Sequence, residues 1–324
     1  MTATLPAALK QAIATAVGPR GGKELRHGAG RLSDHYRAGG GSGAGLDFGA
    51  YLAARMPATY AAVARVLTEL TLRQPGFAPS SLLDAGAGPG TASWAAAALW
   101  PGLARFTFLD NNPAFLDLAG ELASASENAA LAAAERRLGR IENSSPEPAS
   151  DLVVAAYALA ELPVSAAEVA ALSLWRAAGQ ALVIVEPGTP QGFQRILKAR
   201  DALIRDGAKI VAPCPHAGPC LLTTPDWCHF SVRLPRSRQH MQAKGARVPF
   251  EDEKFAYVIA CREALAQPSA RILAPPTETK AEIRFKLCAP EGIASRVIAR
   301  RDRDAYKRAR KLKWGDLIER IPKA

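Results

Sequence analysis

Four short apolar segments between residues 80 and 188 alternate with alanine-rich amphipathic segments, and this alternation constrains the fold more than any other feature. The segments SSLLDAGAG, ARFTFLD, DLVVAAYAL and QALVIVEPG have the length and composition of buried strands. The segments TASWAAAALW, PAFLDLAGELAS, SAAEVAALSLWRAA and GFQRILKARDALIRDG follow them in turn and have the composition of helices. Strands and helices that alternate with short connections form a parallel sheet covered on both faces, so we predict a Rossmann-like α/β fold.

The segments outside this alternation divide the 324-residue chain into further regions. Two late apolar segments, KFAYVIACRE (254–263) and AEIRFKLCAP (281–290), are predicted to close the sheet, and the glycine-rich segment 37–45 is predicted to be a linker. We therefore expect a helical N-terminal region (1–75), a Rossmann-like core (76–206), a cysteine-rich insertion (207–253), closing strands of the core (254–294) and a basic C-terminal tail (295–324).

Positive charge is concentrated at the C-terminus. The chain has a formal net charge of +11, and from residue 295 onward eleven Lys and Arg residues face only four acids. Such a density of cations is typical of segments that contact phosphates, and Tyr306 and Trp314 lie among the charges as candidate stacking surfaces. The alternative is a solvated helix, but we favour a nucleic-acid partner.

Targeting signals are not evident in the sequence. No apolar run reaches the ~18 to 20 residues that a membrane span needs, and the first twenty residues lack the pattern of a secretion signal. Arginine is also too scarce there to favour a mitochondrial presequence over an amphipathic surface helix. We therefore expect a cytoplasmic protein without disulfides and without a membrane partner.

A glycine-rich motif, LLDAGAGPG, ends the first predicted strand, and the next strand ends in the acidic motif FLDNNP. Glycines at this position let the backbone turn sharply and approach a ligand, and an acid after the second strand accepts hydrogen bonds from ribose. Both a dinucleotide enzyme and an S-adenosylmethionine enzyme fit this order, but the form D-x-G-x-G-x-G resembles motif I of class I methyltransferases. The residues predicted to bind the cofactor are Asp84, Gly86, Gly88, Gly90, Asp110 and Asn111.

The sequence does not identify a catalytic residue. Where some N-methylases carry an NPPY-like tetrapeptide after the fourth strand, this chain reads YALAELP. Pro213 and Cys214 form a Pro-Cys pair, but it follows the last long helix of the core, so we do not favour Cys214 as a nucleophile. Glu186 ends the fifth strand and is a candidate either to orient a substrate or to cap the next helix.

Four of the five cysteines have a spacing that predicts a metal site. Cys214, Cys220 and Cys228 are separated by five and seven residues, and Cys288 follows after 59 more. Four soft thiolate donors suit either a tetrahedral zinc ion or an iron–sulfur cluster, and both remain open from spacing alone. Cys261 lies within the apolar run YVIACRE and is predicted to be a core thiol. His216 and His229 are weaker candidate zinc ligands.

Several motifs together resemble the methyltransferase-like proteins of the small ribosomal subunit, a family of mitoribosome assembly factors and their bacterial relatives. The motifs are LDAGAGPGTASWAA, VEPGTPQGF, CPHAGPC, DWCHFSVRLPRS and PFEDEKFAYV, within about residues 30 to 290. The resemblance implies a four-iron–four-sulfur cluster on the four spaced cysteines, S-adenosylmethionine binding, and association with small-subunit ribosomal RNA or a pre-ribosomal particle rather than DNA.

The resemblance leaves the activity open. The chain is either an RNA methyltransferase or an inactive RNA-binding assembly factor, and a zinc-bearing RNA-binding module is the third alternative. We expect a cluster to be structural, with redox sensing as the alternative role.

Overall fold

A computed structural model gives the structure of the protein and describes residues 4–37, 46–143, 148–264 and 270–318. Most of the predicted linker 37–45, and residues 319–324 of the predicted tail, lie outside this description. The helices of the described part are α1 (Ala7–Val17), α2 (Gly22–Arg37), α3 (Phe48–Ala54), α4 (Met56–Arg73), α5 (Thr91–Leu99), α6 (Pro113–Ser124), α7 (Ala129–Ala132), α8 (Ala167–Ala177), α9 (Pro190–Arg205), α10 (Arg238–Lys244) and α11 (Arg303–Ala309).

The main sheet contains β1 (Ser81–Ala85), β2 (Arg105–Asp110), β3 (Glu135–Leu138), β4 (Ser150–Ala156), β5 (Ala178–Pro187), β6 (Lys209–Ala212), β7 (Phe230–Pro235) and β8 (Phe250–Cys261). Its order is β3-β2-β1-β4-β5-β8-β6, and β7 pairs with the first half of β8. The pairs among β1 to β5 are parallel, whereas β8 is antiparallel to both of its neighbours β5 and β6. This is the strand order of a class I methyltransferase, so the predicted fold is confirmed.

The central strands are apolar on both sides because helices cover both faces of the sheet. In β5, Val183 and Val185 pack into the core layer that contains α4 and α5, whereas Leu182 and Ile184 pack into the layer that contains α8 and α9. Side chains alternate along a strand, so an uninterrupted apolar run is what two buried faces require.

A second, smaller sheet follows the main one. It contains β9 (Ala270–Ile272), β10 (Thr277–Glu278), β11 (Glu282–Ala289), β12 (Gly292–Ala299) and β13 (Leu317–Ile318), in the order β10-β11-β9-β13 with β12 on β11. Three alternate residues of β11, Ile283, Phe285 and Leu287, enter a core that also contains Tyr306 of α11. The residues between them are exposed or half-buried, which is the pattern of an antiparallel strand with one covered face.

Two expectations about the end of the chain are therefore wrong. The segment 281–290 does not close the main sheet, because its one-sided pattern suits β11 of the second sheet. The closing strands are β8 and β6, and β6 comes from within the predicted insertion 207–253. The segment from 295 to 318 is not a loose basic tail, since β12, α11 and β13 build it into the second sheet.

The N-terminal helices pack beside the main sheet, next to the carboxyl ends of its strands. Asp47 begins α3 by accepting a hydrogen bond from the Ala50 amide at 3.0 Å, and the guanidinium of Arg20 donates to the same carboxylate at 2.6 Å. Helix α10, which precedes β8, contacts α2 and α3. Within the described ranges, none of the helices combines the length and apolarity that a bilayer crossing requires.

Candidate cofactor pocket and cysteine cavity

The glycine motif forms the turn between β1 and α5. Gly86, Gly88 and Gly90 have φ angles of +71°, +51° and +77°, a region that side chains disfavour. A Cβ atom on Gly86 would lie 2.5 Å from the Cβ of Ala158, which follows β4. Glycine is therefore required at this turn both for its backbone conformation and for the close approach of the β4 loop.

Asp84 lies beneath this turn and is 1% exposed. Its Oδ2 accepts hydrogen bonds from the backbone amide and the hydroxyl of Ser93, both at 2.9 Å. Burial raises the pKa of Asp84 to about 7 although the bonds from Ser93 oppose the shift. Asp84 thus holds the first turn of α5 in place, and its contribution to a ligand site is through that helix start.

Asp110 ends β2 on the neighbouring side of the glycine turn. Its Oδ2 accepts from the amide of Gly88 at 2.8 Å, and its Oδ1 accepts from the amide of Asn112 at 2.9 Å. Burial raises the pKa of Asp110, and the amide bonds oppose that shift. A carboxylate has about four acceptor sites and Asp110 accepts from the amides of Gly88, Asn111 and Asn112, so it retains some acceptor capacity beside the exposed Asn111.

Aromatic side chains of α3 and α6 cover the edge of this pocket. Tyr51 and Phe48 make edge contacts with Phe115, with ring centroids 5.2 and 4.9 Å apart. The Tyr51 hydroxyl lies 3.7 Å from the position of a Cβ on Gly88. This contribution of α3 could not be predicted, because nothing in its sequence indicates which part of the sheet it will cover.

Tyr157 occupies the position after β4 where some N-methylases carry their catalytic tetrapeptide. It has a φ of +61°, which is costly for a residue with a side chain, and its hydroxyl donates to Oε1 of Glu253 at 2.8 Å. Burial raises the pKa of both Tyr157 and Glu253. The sequence did not predict this pair, because Glu253 lies 96 residues away on β8.

Glu186 is fully buried and does not cap the next helix, which Thr189 caps instead. Its Oε1 accepts from the Leu159 amide at 3.0 Å, in the turn after β4, and its Oε2 has no hydrogen-bond partner. Burial raises the pKa of Glu186 to about 8, against the nearby charge of Arg195. Burial thus favours the protonated form of Glu186, and the hydrogen bond that it accepts from the Leu159 amide supports the loop that carries Tyr157.

The four spaced cysteines line a single cavity of about 40 Å³. Three come from the segment between β6 and β7, and the fourth comes from the end of β11 in the second sheet. Apolar side chains close the rest of the cavity, among them Phe193 and Ile196 of α9 and Leu273. The cysteines are Cys214, Cys220, Cys228 and Cys288. Cys261, as predicted, is buried in the core.

Burial favours the neutral form of three of these thiols by raising their pKa values. Burial raises the pKa of Cys288 to about 12 and that of Cys228 well above its usual value, and the other thiols of the cavity add to both shifts. Burial also raises the pKa of Cys214, so it lacks the lowered pKa of a nucleophilic cysteine. Over the described ranges, no three His, Cys, Asp or Glu side chains are arranged to hold a metal ion, although the thiols share the cavity.

The two candidate histidines differ in their placement. Nε2 of His216 lies 3.7 Å from the Sγ of Cys288, at the edge of the cavity. His229 stacks on Trp227 with ring centroids 4.9 Å apart and does not line the cavity. His216 is therefore a neighbour of the thiols, whereas His229 belongs to an aromatic cluster.

Two buried arginines also line the cysteine cavity, and the sequence analysis missed both. Arg200 of α9 is 3% exposed and Arg271 of β9 is 1% exposed. The signal for Arg200 was available, because it lies in helical register with the apolar residues Phe193, Ile196 and Leu203. A cation on the apolar stripe of a helix indicates a buried partner.

The cations of the C-terminal segment line an open groove of about 750 Å³ on the second sheet. Tyr306, predicted as a stacking surface, is only 8% exposed and donates its hydroxyl to Glu278 at 3.0 Å. It is therefore a core residue of the second sheet, and the groove presents charge rather than an aromatic face. The basic residues of the groove are Arg300, Arg301, Arg303, Lys307, Arg310 and Lys311.

Comparison with known proteins agrees with this architecture. The family model described as mitochondrial small ribosomal subunit Rsm22 matches residues 46–319. The human mitochondrial ribosome assembly protein METTL17 is 33% identical over 287 residues, which cover 83% of this chain and 61% of the human protein. Rsm22-cox11 tandem protein 2 of Schizosaccharomyces pombe, also mitochondrial, is 27% identical over 324 residues, covering 83% of this chain and 42% of that protein.

Solved structures with a similar fold include two methyltransferases. The magnesium protoporphyrin IX methyltransferase of Synechocystis with bound S-adenosylmethionine has a TM-score of 0.43 at 14% identity, covering 72% of this chain and 91% of that chain. A putative RNA methyltransferase of Pyrococcus horikoshii has a TM-score of 0.40 at 12% identity, covering 62% and 80% of the two chains.

The comparisons correct the expected location of the protein, and they also show how much of its relatives the chain spans. A cytoplasmic location is wrong, because the matching family and the relatives are described as mitochondrial, which points to the mitochondrion. Charge and apolar runs near an N-terminus are weak evidence for location, which a separate signal decides. The chain spans 42 to 61% of the length of these curated relatives.

Proposed function

Because the chain belongs to the family of the mitochondrial small ribosomal subunit protein Rsm22, we propose that it is an S-adenosylmethionine-binding, methyltransferase-like factor that carries a four-iron–four-sulfur cluster. It acts on small-subunit ribosomal RNA or its precursor particle during assembly. The observation that carries the proposal is that Cys288, from the second sheet, lines one cavity with the three cysteines of the insertion.

The residues around the cavity fit an iron–sulfur cluster in their donor chemistry. Four thiols are the donor set of such a cluster, and no carboxylate is among the residues that line the cavity. The buried guanidinium of Arg200, which donates to the Sγ of Cys214, supplies positive charge that a thiolate-ligated centre needs in an apolar environment. Bound there, the cluster would tie the insertion to the second sheet, so its role is structural.

The glycine turn supports cofactor binding at the carboxyl ends of β1 and β2. The turn lies between β1 and α5, and Asp110, which accepts from the amide of Gly88 there, would also accept hydrogen bonds from ribose hydroxyls. Tyr51, half-buried beside Gly88 and backed by the buried Phe115, would give the site an aromatic side for the adenine ring. The acceptor would enter beside Tyr157, at the end of β4.

The basic groove supports binding to RNA. A groove lined by six Lys and Arg residues attracts phosphates, and each neutralised phosphate steepens the dependence of affinity on salt. Because Tyr306 is buried in the second sheet, the groove contacts the RNA backbone rather than unstacked bases. Binding there would hold an RNA by its backbone rather than by its sequence.

Purification without oxygen, followed by an absorbance spectrum and metal analysis, tests the cluster. We expect a brown protein with four iron and four sulfide ions per chain. Cys220→Ala abolishes the colour, whereas Cys261→Ala, a thiol of the main core away from the cavity, retains it. A colourless protein with one zinc ion per chain would instead support a zinc-bearing RNA-binding module.

Titration calorimetry with S-adenosylmethionine, followed by transfer of its labelled methyl group to small-subunit RNA, tests the other half of the proposal. We expect Asp110→Ala to weaken cofactor binding at least tenfold, while Asp117→Ala, an exposed acid on α6, leaves it unchanged. Binding without methyl transfer identifies an assembly factor that retains the cofactor site. No binding by the wild-type protein refutes the cofactor site altogether.

A further inference from the structure

Arg200 directs one N–H group at a sulfur atom of the cysteine cavity. Its Nε donates to Sγ of Cys214 at 3.2 Å, and the side chain is 3% exposed. Its Nη2 donates to the carbonyl oxygens of His216 and Gly218 at 3.0 and 2.7 Å, and its Nη1 donates to Asp201 at 2.7 Å. All three nitrogens are therefore engaged, and the two carbonyl bonds fix the direction of Nε toward the sulfur.

Arg271 lines the same cavity but directs its donors elsewhere. Nε donates to the carbonyl of Pro213 at 2.9 Å, Nη1 to that of Gly315 at 2.7 Å, and Nη2 to the carboxylate of Glu69 at 2.8 Å. Its charge is thus paired with a buried acid, and its hydrogen bonds join separate segments. Of the two arginines, only Arg200 has a hydrogen bond to one of the cavity sulfurs.

We infer that Arg200 is a tuning residue for the cluster, which raises the reduction potential of the bound centre through its N–H···S hydrogen bond to Cys214. This inference rests on the proposed cluster and concerns a residue that is not one of its ligands. Arg200 acts by electrostatics and not by coordination, and it also closes the 214–218 loop around the ligand sulfur.

The sign of the effect follows from charge. Reduction adds one electron to the cluster, so the reduced form is more negative and gains more from a nearby guanidinium and from hydrogen bonds to its sulfurs. Most side chains that line the cavity are apolar, apart from the thiols and the two arginines, and a low local dielectric strengthens the interaction. Asp201 weakens the effect, because its carboxylate partly neutralises the same guanidinium from the exposed side.

Redox titration of the anaerobic protein with dithionite, followed by EPR, measures this effect. We expect Arg200→Gln to make reduction at least tenfold less favourable, a shift of about 59 mV to more negative potential for a one-electron couple. Asp201→Asn should shift the potential in the positive direction, and by less, because its side chain is half exposed. Arg200→Lys keeps the positive charge but loses the planar set of guanidinium N–H donors. Its reduction potential should therefore lie between those of the wild type and Arg200→Gln.

Arg205→Gln is the matched control. It removes the same charge from the same helix, but Arg205 is 65% exposed and pairs with Glu168, so the potential should not change. A structural defect alone would lower cluster content without shifts of opposite sign in the Arg200 and Asp201 variants. If Arg200→Gln assembles no cluster, the reduction potentials of Arg200→Lys and Asp201→Asn still test the tuning role.

The outcomes separate this inference from the proposed function. A brown wild-type protein whose variants all titrate at the wild-type potential overturns the tuning role and leaves the cluster standing. A negative shift in Asp201→Asn also overturns it. A wild-type protein that binds no iron refutes both the cluster and the tuning role.

Discussion

Glu69 of α4 is the acid that compensates the buried positive charge of Arg271 in β9. The Nη2 of Arg271 donates to its Oε1 at 2.8 Å, and the two side chains are 1% and 5% exposed. Arg65 donates to Oε2 at 3.3 Å, and Nε of Arg73 lies 3.3 Å from Oε1 without a hydrogen bond. Burial raises the pKa of Glu69, but the charge of Arg271 and its hydrogen bond outweigh burial and lower it.

We predict that Glu69→Gln lowers the free energy of unfolding by about 3 to 5 kcal/mol, because it leaves the guanidinium of Arg271 buried without a counter-charge. That is a large part of the ~5 to 15 kcal/mol by which domains are stable. The effect should spread to the cysteine loop and the second sheet, because Arg271 also donates to the carbonyls of Pro213 and Gly315.

Urea unfolding of a double-mutant cycle measures the pair. The Glu69→Gln/Arg271→Met double variant should be less destabilised than the sum of the two single variants, by about 2 kcal/mol or more. The pH dependence gives an independent check. Since the folded pKa is lowered, the contribution of Glu69 is present above its unfolded value of about 4.3 and is lost as the pH falls through the folded pKa. The prediction would be refuted if Glu69→Gln lowered the free energy of unfolding by less than about 1 kcal/mol, or if the effects of the two single variants simply added in the double variant.

Two further predictions concern Gly86 of the glycine turn and Glu251 of β8. Gly86→Ala should lower the free energy of unfolding in urea by about 2 kcal/mol and weaken cofactor binding, because the φ of Gly86 is +71° and the new Cβ would meet Ala158. Gly76→Ala is the control and should change the free energy of unfolding little, because the space around Gly76 is open. Burial raises the pKa of Glu251, but the hydrogen bond from His240 and neighbouring cations outweigh it and hold the pKa at about 2. As the pH falls from about 4.5 to about 2, the free energy of unfolding of the wild-type protein should therefore decrease by up to about 3 kcal/mol relative to that of Glu251→Gln. Urea unfolding at each pH measures this difference. Parallel curves of unfolding free energy against pH for the two proteins would contradict the prediction.

The main sheet could be predicted because its information is local. The apolar runs of β4 and β5 and the helical periodicity between them specify a covered parallel sheet in any sequence context. The glycine motif could be placed for the same reason, since Gly86 and Gly90 follow a strand and precede a helix. The fold class and the position of the glycine turn between β1 and α5 were thus accessible from the sequence.

Strand β11 shows where local information ends. Its sequence predicted a strand correctly, but not the sheet to which it belongs, because strand pairing depends on contacts between distant residues. Its alternation of buried and exposed residues indicated a strand with one covered face, which fits the second sheet. The same long-range pairing brings Cys288 to the cysteine loop.

The sequence by itself determined which residue types were available: four spaced thiols, a glycine turn and an excess of cations near the C-terminus. The tertiary structure alone decided that Arg200 donates to Cys214 and that Arg271 pairs with Glu69, 202 residues away. The physical reason is that a charged side chain is stable in an apolar interior only where the fold supplies a partner, and that partner need not be near it in the sequence.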